Sequence, residues 1–341
     1  MYTFQASQAA ELATVVRSGF VESRHLGSAI VLAPNGRVQA SLGDPAALIY
    51  PRSALKPLQA IASLQAGAEL QGAQIAIAAA SHRGSFEQMG LVQSILDEAG
   101  LDADALACPA AWPADRESYH ALIRAGKGQQ RLAANCSGKH AAFLLACVKN
   151  KWSLENYLDP QHPLQKRVYA SIKKLSAETP QACGLDGCGA PLWAISLRGL
   201  ARAYSKLGKG IRNIAAEARL ATLATAMVDY PEYLQGPQQP VTILTELLGA
   251  TVKNGAEGVL ALGLPSGAAL ALKILDGSWR AAPLIALKLL QACGHISSLQ
   301  AQQGLEACMR PVTAAQQPVG AIQPGQHLAA LLGAKTKKQK A

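Results

Sequence analysis

The sequence predicts an α+β fold in which a sheet assembled from both ends of the chain carries an inserted helical lobe. Three observations predict it. An Asn-Gly turn lies between two short apolar runs near the N-terminus, a second pair of apolar runs surrounds Pro265-Ser266-Gly267, and alanine- and leucine-rich stretches with helical spacing fill the middle. Half of the 341 residues are hydrophobic and 16 % are charged, so the chain can bury a large core and most of it is not disordered. Single cores stop growing near this length, so two lobes are expected within one unit over 1–334. The sheet is expected from about 20–50 and 255–334, the helical lobe from about 51–254, and a flexible basic tail at 335–341.

In chain order, "RHLGSAIVLAPNGRVQASLG" at 24–43 reads as a hairpin turning at Pro34-Asn35-Gly36. Helices are expected near 55–66, 87–99, 117–126, 138–150, 163–177, 190–206, 213–230 and 281–293, many of them stopped by glycine or proline. "EGVLALGLPSGAALALKILDG" at 257–277 repeats the hairpin pattern. Its most hydrophobic window, 258–275, is interrupted by Pro265, Ser266 and Lys273, which makes it a poor membrane span. The first twenty residues have no early basic cluster and carry Glu11 inside their only apolar stretch, unlike a signal peptide. A soluble, cytoplasmic protein is expected.

The formal charge is +10, of which Lys335, Lys337, Lys338 and Lys340 supply four, leaving +6 on the body. Aromatics make up 5 % and no recognition motif is present, which argues against nucleic acid as a partner. The seven cysteines are odd in number and irregular in spacing, so a disulfide framework is not expected and most should be small buried hydrophobes. Cys136 and Cys188 stand apart. "NCSGKHAAF" at 135–143 places Cys136 three residues before Lys139 and four before His140, and "GLDGCGAP" at 184–191 sets Cys188 between glycines just after Asp186. Two thiolates, a nitrogen and a water would make an open tetrahedral zinc site; on chemistry alone His140 is the conventional nitrogen, since a lysine must bind as the free amine.

Other residues point to nucleophilic chemistry. In "YPRSALKPLQA" Ser53 is a candidate helix N-cap and Lys56 lies three residues on, with Pro57 tolerated only near a helix start. A desolvated lysine loses its proton more readily and can take that of a serine. The spacing is a weak signal, because Ser171 and Lys174 share it in what reads as an exposed amphipathic helix. In "IAIAAASHRGSFE" Ser81 leaves a small-residue apolar run at a Gly-containing turn, either to face a cleft or simply to form the turn. Lys273, amid apolar residues of the late hairpin, either faces solvent or ends in a polar pocket.

Taken in order, "ESRHLGSAIVL", "SLGDP", "RSALKPLQA", "ASH", "NCSGKHAAF", "YLDPQHPLQ", "GLDGCGAP", "KNGAEGVLALGLP" and "ALKILDG" resemble the bacterial L-asparaginase II family of the Rhizobium etli type, over about residues 20–293. The resemblance implies a fold like that of the serine β-lactamases and glutaminases, and a homodimer. It further implies two serine-lysine pairs, Ser53 with Lys56 and Ser81 with Lys273, beside a zinc ion (Zn2+) held by Cys136, Lys139 and Cys188. Arg52, His140 and Asp186 would line the substrate pocket. The implied reaction is hydrolysis of L-asparagine to L-aspartate and ammonia. A related amidohydrolase acting on another amide, or a non-catalytic zinc-binding relative, are the alternatives. The chain departs from the family pattern at Arg83 and Ser85, where a small polar residue and an acid are usual, and at Leu244 before Thr245.

Overall fold

The computed structural model describes residues 2–340, with side chains up to residue 334. The chain divides into two compact units: Met1–Ala54, Ile195–Lys209 and Ile243–Ala341 form one, Leu55–Ala194 and Gly210–Thr242 the other.

The first unit is built on an antiparallel sheet of eight strands. Its longest strand, Phe20–Leu32, pairs on one edge with Ala10–Arg17 and then Val38–Leu42, and on the other with Ala269–Ile274. Both hairpins read from the sequence are present: Asn35-Gly36 turns Phe20–Leu32 into Val38–Leu42, and Pro265-Ser266-Gly267 joins Val259–Gly263 to Ala269–Ile274. The pairing Lys273 to Ser28 unites segments almost 250 residues apart in one register.

The sheet starts earlier than expected, at Ala10. Glu11 disguises that strand, yet it is buried because its carboxylate pairs with Arg24 and accepts the Gln326 N–H. The expected helix at 190–206 is also corrected. Pro191–Trp193 pairs with Cys183–Leu185, Ile195–Ser196 pairs with Leu48–Ile49, and the helix runs Leu197–Gly210. A strand ladder beginning at Pro191 has overridden helix propensity there. Ala282–Ala292 packs on Ala269–Ile274, and Gln326–Lys340 packs on Ala10–Arg17. The backbone of the expected flexible tail thus continues a helix as far as Lys340; the tail's side chains and residue 341 lie outside the described residues.

The second unit is helical around Lys56–Gln65, which packs against Ser137–Asn150, Pro163–Ser176 and Ala218–Asp229. Leu58, Ile61, Phe143, Leu144 and Ile172 are buried there, each contributing about 1.5–3 kcal/mol by leaving water. Ser171 is buried too, and its hydroxyl donates to the Leu58 carbonyl at 2.9 Å, so the stretch read as exposed holds two helices together. Gly138 permits a close approach of two helices, because a Cβ there would lie 2.3 Å from the Ile77 carbonyl oxygen. Among the described residues no helix is long and apolar enough to cross a membrane.

Candidate functional site

In the first unit, Ser53 lies in the 3-10 turn Arg52–Leu55, which leads directly into the helix starting at Lys56. It does not cap that helix as the sequence suggested: the N-cap position is Leu55, and Pro57 occupies the first turn. The turn is held tightly. Arg52 has a left-handed backbone, φ 53°, which costs a residue with a Cβ about 1 kcal/mol or more. Tyr204, fully buried, donates its hydroxyl to the Ala54 carbonyl at 2.9 Å, and a Cβ on Gly255 would lie 2.2 Å from the Pro51 carbonyl oxygen.

Lys273, also in the first unit, is buried and ends in a polar pocket rather than in solvent. Its Nζ donates to the carbonyls of Glu257 at 2.6 Å and Ile274 at 2.8 Å, and burial lowers its pKa. A second interior lysine, Lys253, is held by the Asn254 carbonyl and side-chain oxygens and drew no attention in the sequence.

The second unit brings together Lys56, Ser81, Cys136, Lys139, His140 and Cys188. Lys56 is 2 % exposed at the first position of its helix. Its Nζ reaches the Ala80 carbonyl at 2.7 Å, the Ser81 hydroxyl at 3.1 Å and the Asn135 carbonyl at 3.1 Å. Desolvation brings its pKa down to about 8; Lys139 pushes the same way, and Cys136, Cys188 and Asp186 oppose it. Within this unit the lysine beside Ser81 is therefore Lys56. Ser81 follows the buried helix Ala73–Ala78 and is fixed by its own N–H on the Leu234 carbonyl at 2.9 Å.

His82, next in sequence, is buried and kept neutral, its pKa lowered to about 3 chiefly by desolvation. Its Nδ1 accepts the Gly84 N–H, so its Nε2–H donates to Ser137 Oγ at 2.9 Å, and Ser137 in turn donates to the Leu132 carbonyl. His82 thereby ties the Ser81 turn to the residue after Cys136. The departures at Arg83 and Ser85 have structural work. Arg83 donates to the Ala114 carbonyl and accepts the Asp115 N–H, while Ser85 and Gln88 form a capping box on the helix Phe86–Ala99. Leu244, in the first unit, is core, fully buried in the helix Pro240–Leu248.

Cys136 precedes the helix Ser137–Asn150, and Cys188 occupies the loop between the paired strands Cys183–Leu185 and Pro191–Trp193. Asp186 shapes that loop: its N–H donates to the Ala190 carbonyl, its carbonyl accepts from Gly189, and its carboxylate accepts the Gly187 N–H. Cys136, His140 and Cys188 are buried, with their donor atoms within 4.8 Å of one another. Lys139 Nζ donates to Cys188 Sγ at 3.2 Å. His140 Nδ1 is 2.7 Å from the Tyr157 hydroxyl, whereas its Nε2 is buried with no hydrogen-bond partner. Burial lowers the His140 pKa to about 4.

A third thiol adjoins this group. Cys188 is pushed up chiefly by its hydrogen bond to Cys136, and Cys136 by its hydrogen bond to Cys108, which is lowered in return. Cys108 and Tyr157 were missed in the sequence because each sits about thirty or twenty residues from Cys136 in an unremarkable setting. Two adjacent buried thiols with a buried nitrogen donor beside them, Lys139 Nζ or His140 Nε2, are the donor set of a borderline-soft divalent ion, so these residues fit a metal.

The model of the family described as L-asparaginase II matches residues 13–324. No curated protein sequence matches the chain. Solved structures that resemble it are distant. A β-lactamase from Mycobacterium bovis is 16 % identical with a TM-score of 0.42, covering 78 % of this chain and 94 % of that one. Mglu in its tris and glutamate form is 15 % identical with a TM-score of 0.45 over 83 % of this chain, which spans 62 % of that protein. A probable glutaminase from Bacillus subtilis, complexed with 6-diazo-5-oxo-L-norleucine, is 13 % identical with a TM-score of 0.36, covering 81 % and 87 %.

Proposed function

We propose that this chain, an amidohydrolase that belongs to the L-asparaginase II family, hydrolyses the side-chain amide of L-asparagine to aspartate and ammonia through a lysine-activated serine. The observation that carries the reading is Lys56: buried, with its pKa at about 8 and its Nζ 3.1 Å from the Ser81 hydroxyl. A lysine that surrenders its proton near neutral pH accepts one from a serine as the serine attacks a carbonyl.

In this reading Ser53 attacks the amide carbon, Lys56 takes its proton and returns it to the departing ammonia, and water cleaves the resulting aspartyl ester. Ser81, on the Lys56 hydrogen bond, relays protons, and Lys273 polarises the substrate. Arg52, Asp186 and His140 would line the substrate pocket. Cys136, Lys139 and Cys188 would hold a zinc ion, whose chemistry when bound is that of an orienting Lewis acid. A homodimer and a cytoplasmic location complete the reading.

A second reading has Ser81 itself as the nucleophile, favoured by its direct contact with Lys56. Rapid-quench measurement of ammonia and aspartate separates the two. An acyl-enzyme releases ammonia in a burst ahead of aspartate. The first reading expects Ser53→Ala to abolish the burst and Ser81→Ala to slow it; the reverse pattern would assign the attack to Ser81, and no ammonia from the wild type would defeat both.

A further inference from the structure

The interior of the second unit contains a short chain of hydrogen bonds, ending on His140, to which the reaction above assigns no proton transfer. Tyr157, 1 % exposed, has its hydroxyl oxygen 2.9 Å from the Ala107 N–H and 2.7 Å from His140 Nδ1. An amide N–H only donates, so the phenol oxygen must accept from Ala107. Its single proton then has one use among these contacts, donation to Nδ1. Were the proton on Nδ1 instead, the phenol would accept twice and its own O–H would be left without a partner in the interior. The pairing that satisfies all three groups leaves the Nδ1 lone pair occupied and places the imidazole proton on Nε2.

We propose that Tyr157 is a positioning residue that holds His140 as its Nε2–H tautomer, so that the imidazole serves the Cys136–Cys188 pair as a hydrogen-bond donor and leaves the nitrogen-ligand place to Lys139. A ring nitrogen that carries a proton has no lone pair for a metal. Nε2 is buried and without a hydrogen-bond partner, and a His140 nitrogen lies within 4.8 Å of both sulfurs. A thiolate there is the acceptor that such an N–H lacks. Lys139, 1 % exposed, already has its Nζ 3.2 Å from Cys188 Sγ. The ligand part rests on the zinc reading above; the tautomer does not, since it follows from Tyr157 and Ala107.

Long-range proton–nitrogen correlation NMR on histidine-labelled protein, metal-free and loaded with zinc, tests it directly. The expected result is Nε2–H for His140 in both states, with no metal-induced shift at Nε2, and appearance of the Nδ1–H form in Tyr157→Phe. An Nδ1–H tautomer in the wild type, or an Nε2 signal moved by zinc coordination, would overturn the proposal. Zinc affinity by competition with a chromogenic chelator adds a second readout that requires no Tyr157 variant. His140→Gln, which keeps a donor, should bind zinc within about tenfold of wild type, in the range of outer-shell effects, whereas Lys139→Met should lose as much as Cys136→Ser. A His140→Gln loss equal to that of Cys136→Ser would make His140 a ligand and sink the assignment. If wild type binds no zinc, the zinc reading fails, and the metal-free spectrum still decides the tautomer.

Discussion

Burial of Lys56 against the Ala80 and Asn135 carbonyls and the Ser81 hydroxyl sets a pH dependence. The neutral amine is the active form, and it predominates above a pKa of about 8. Below that value kcat/KM should fall by about tenfold per pH unit. A pH profile flat between 6 and 9 would remove Lys56 as the base. Lys56→Met should lower kcat by roughly 10²–10⁴, the usual worth of a general base. For the sulfur group, Cys136→Ser and Cys188→Ser should each reduce zinc content measured by mass spectrometry, while Cys183→Ser, on the exposed side of its strand, should not. At this scale the sequence was legible where chemistry is crowded into a turn, as at Cys136, Lys139 and His140. It was silent on Tyr157, Cys108 and His82, whose significance exists only through partners from other segments. No local pattern distinguishes Tyr157 from any other buried tyrosine.

Among the elements, the helix Ser137–Asn150 depends on one small residue. Its first turn meets Ile77 so closely that a Cβ at Gly138 would strike the Ile77 carbonyl, a backbone atom that cannot swing aside. Gly138→Ala should therefore destabilise the protein by about 1–3 kcal/mol, as overpacking does. The same substitution should weaken zinc binding, because the displaced turn begins at Cys136. Denaturant titration reads the first effect and chelator competition the second; an unchanged midpoint would show that the helix can shift freely. The two hairpins were plain in the sequence because Asn35-Gly36 and Ser266-Gly267 each separate apolar runs of strand length. The strand Ala10–Arg17 was not, because buried Glu11 breaks the alternation and is explained only by Arg24 and Gln326. The 190–206 stretch misled for the opposite reason: its helix-forming composition yields at Pro191 to pairing with Cys183–Leu185.

For the whole molecule, the unit built on the eight-stranded sheet includes the helix Leu197–Gly210 up to Lys209, a segment the sequence reading had assigned to the helical lobe. A stretch in mid-chain joins the sheet unit because Ile195–Ser196 pairs with Leu48–Ile49, a contact that no periodicity announces. The proposed homodimer predicts a sedimentation mass twice that of the 35.6 kDa chain, independent of concentration at micromolar levels. A single species at the chain mass would exclude it.

The most direct test of the central claim is steady-state ammonia release from L-asparagine and L-glutamine by wild type and Lys56→Met. The account predicts release that favours asparagine, by a margin of about 1–3 kcal/mol in kcat/KM for one methylene, and that is lost in the variant. Release from neither amide, or undiminished release by Lys56→Met, would contradict it.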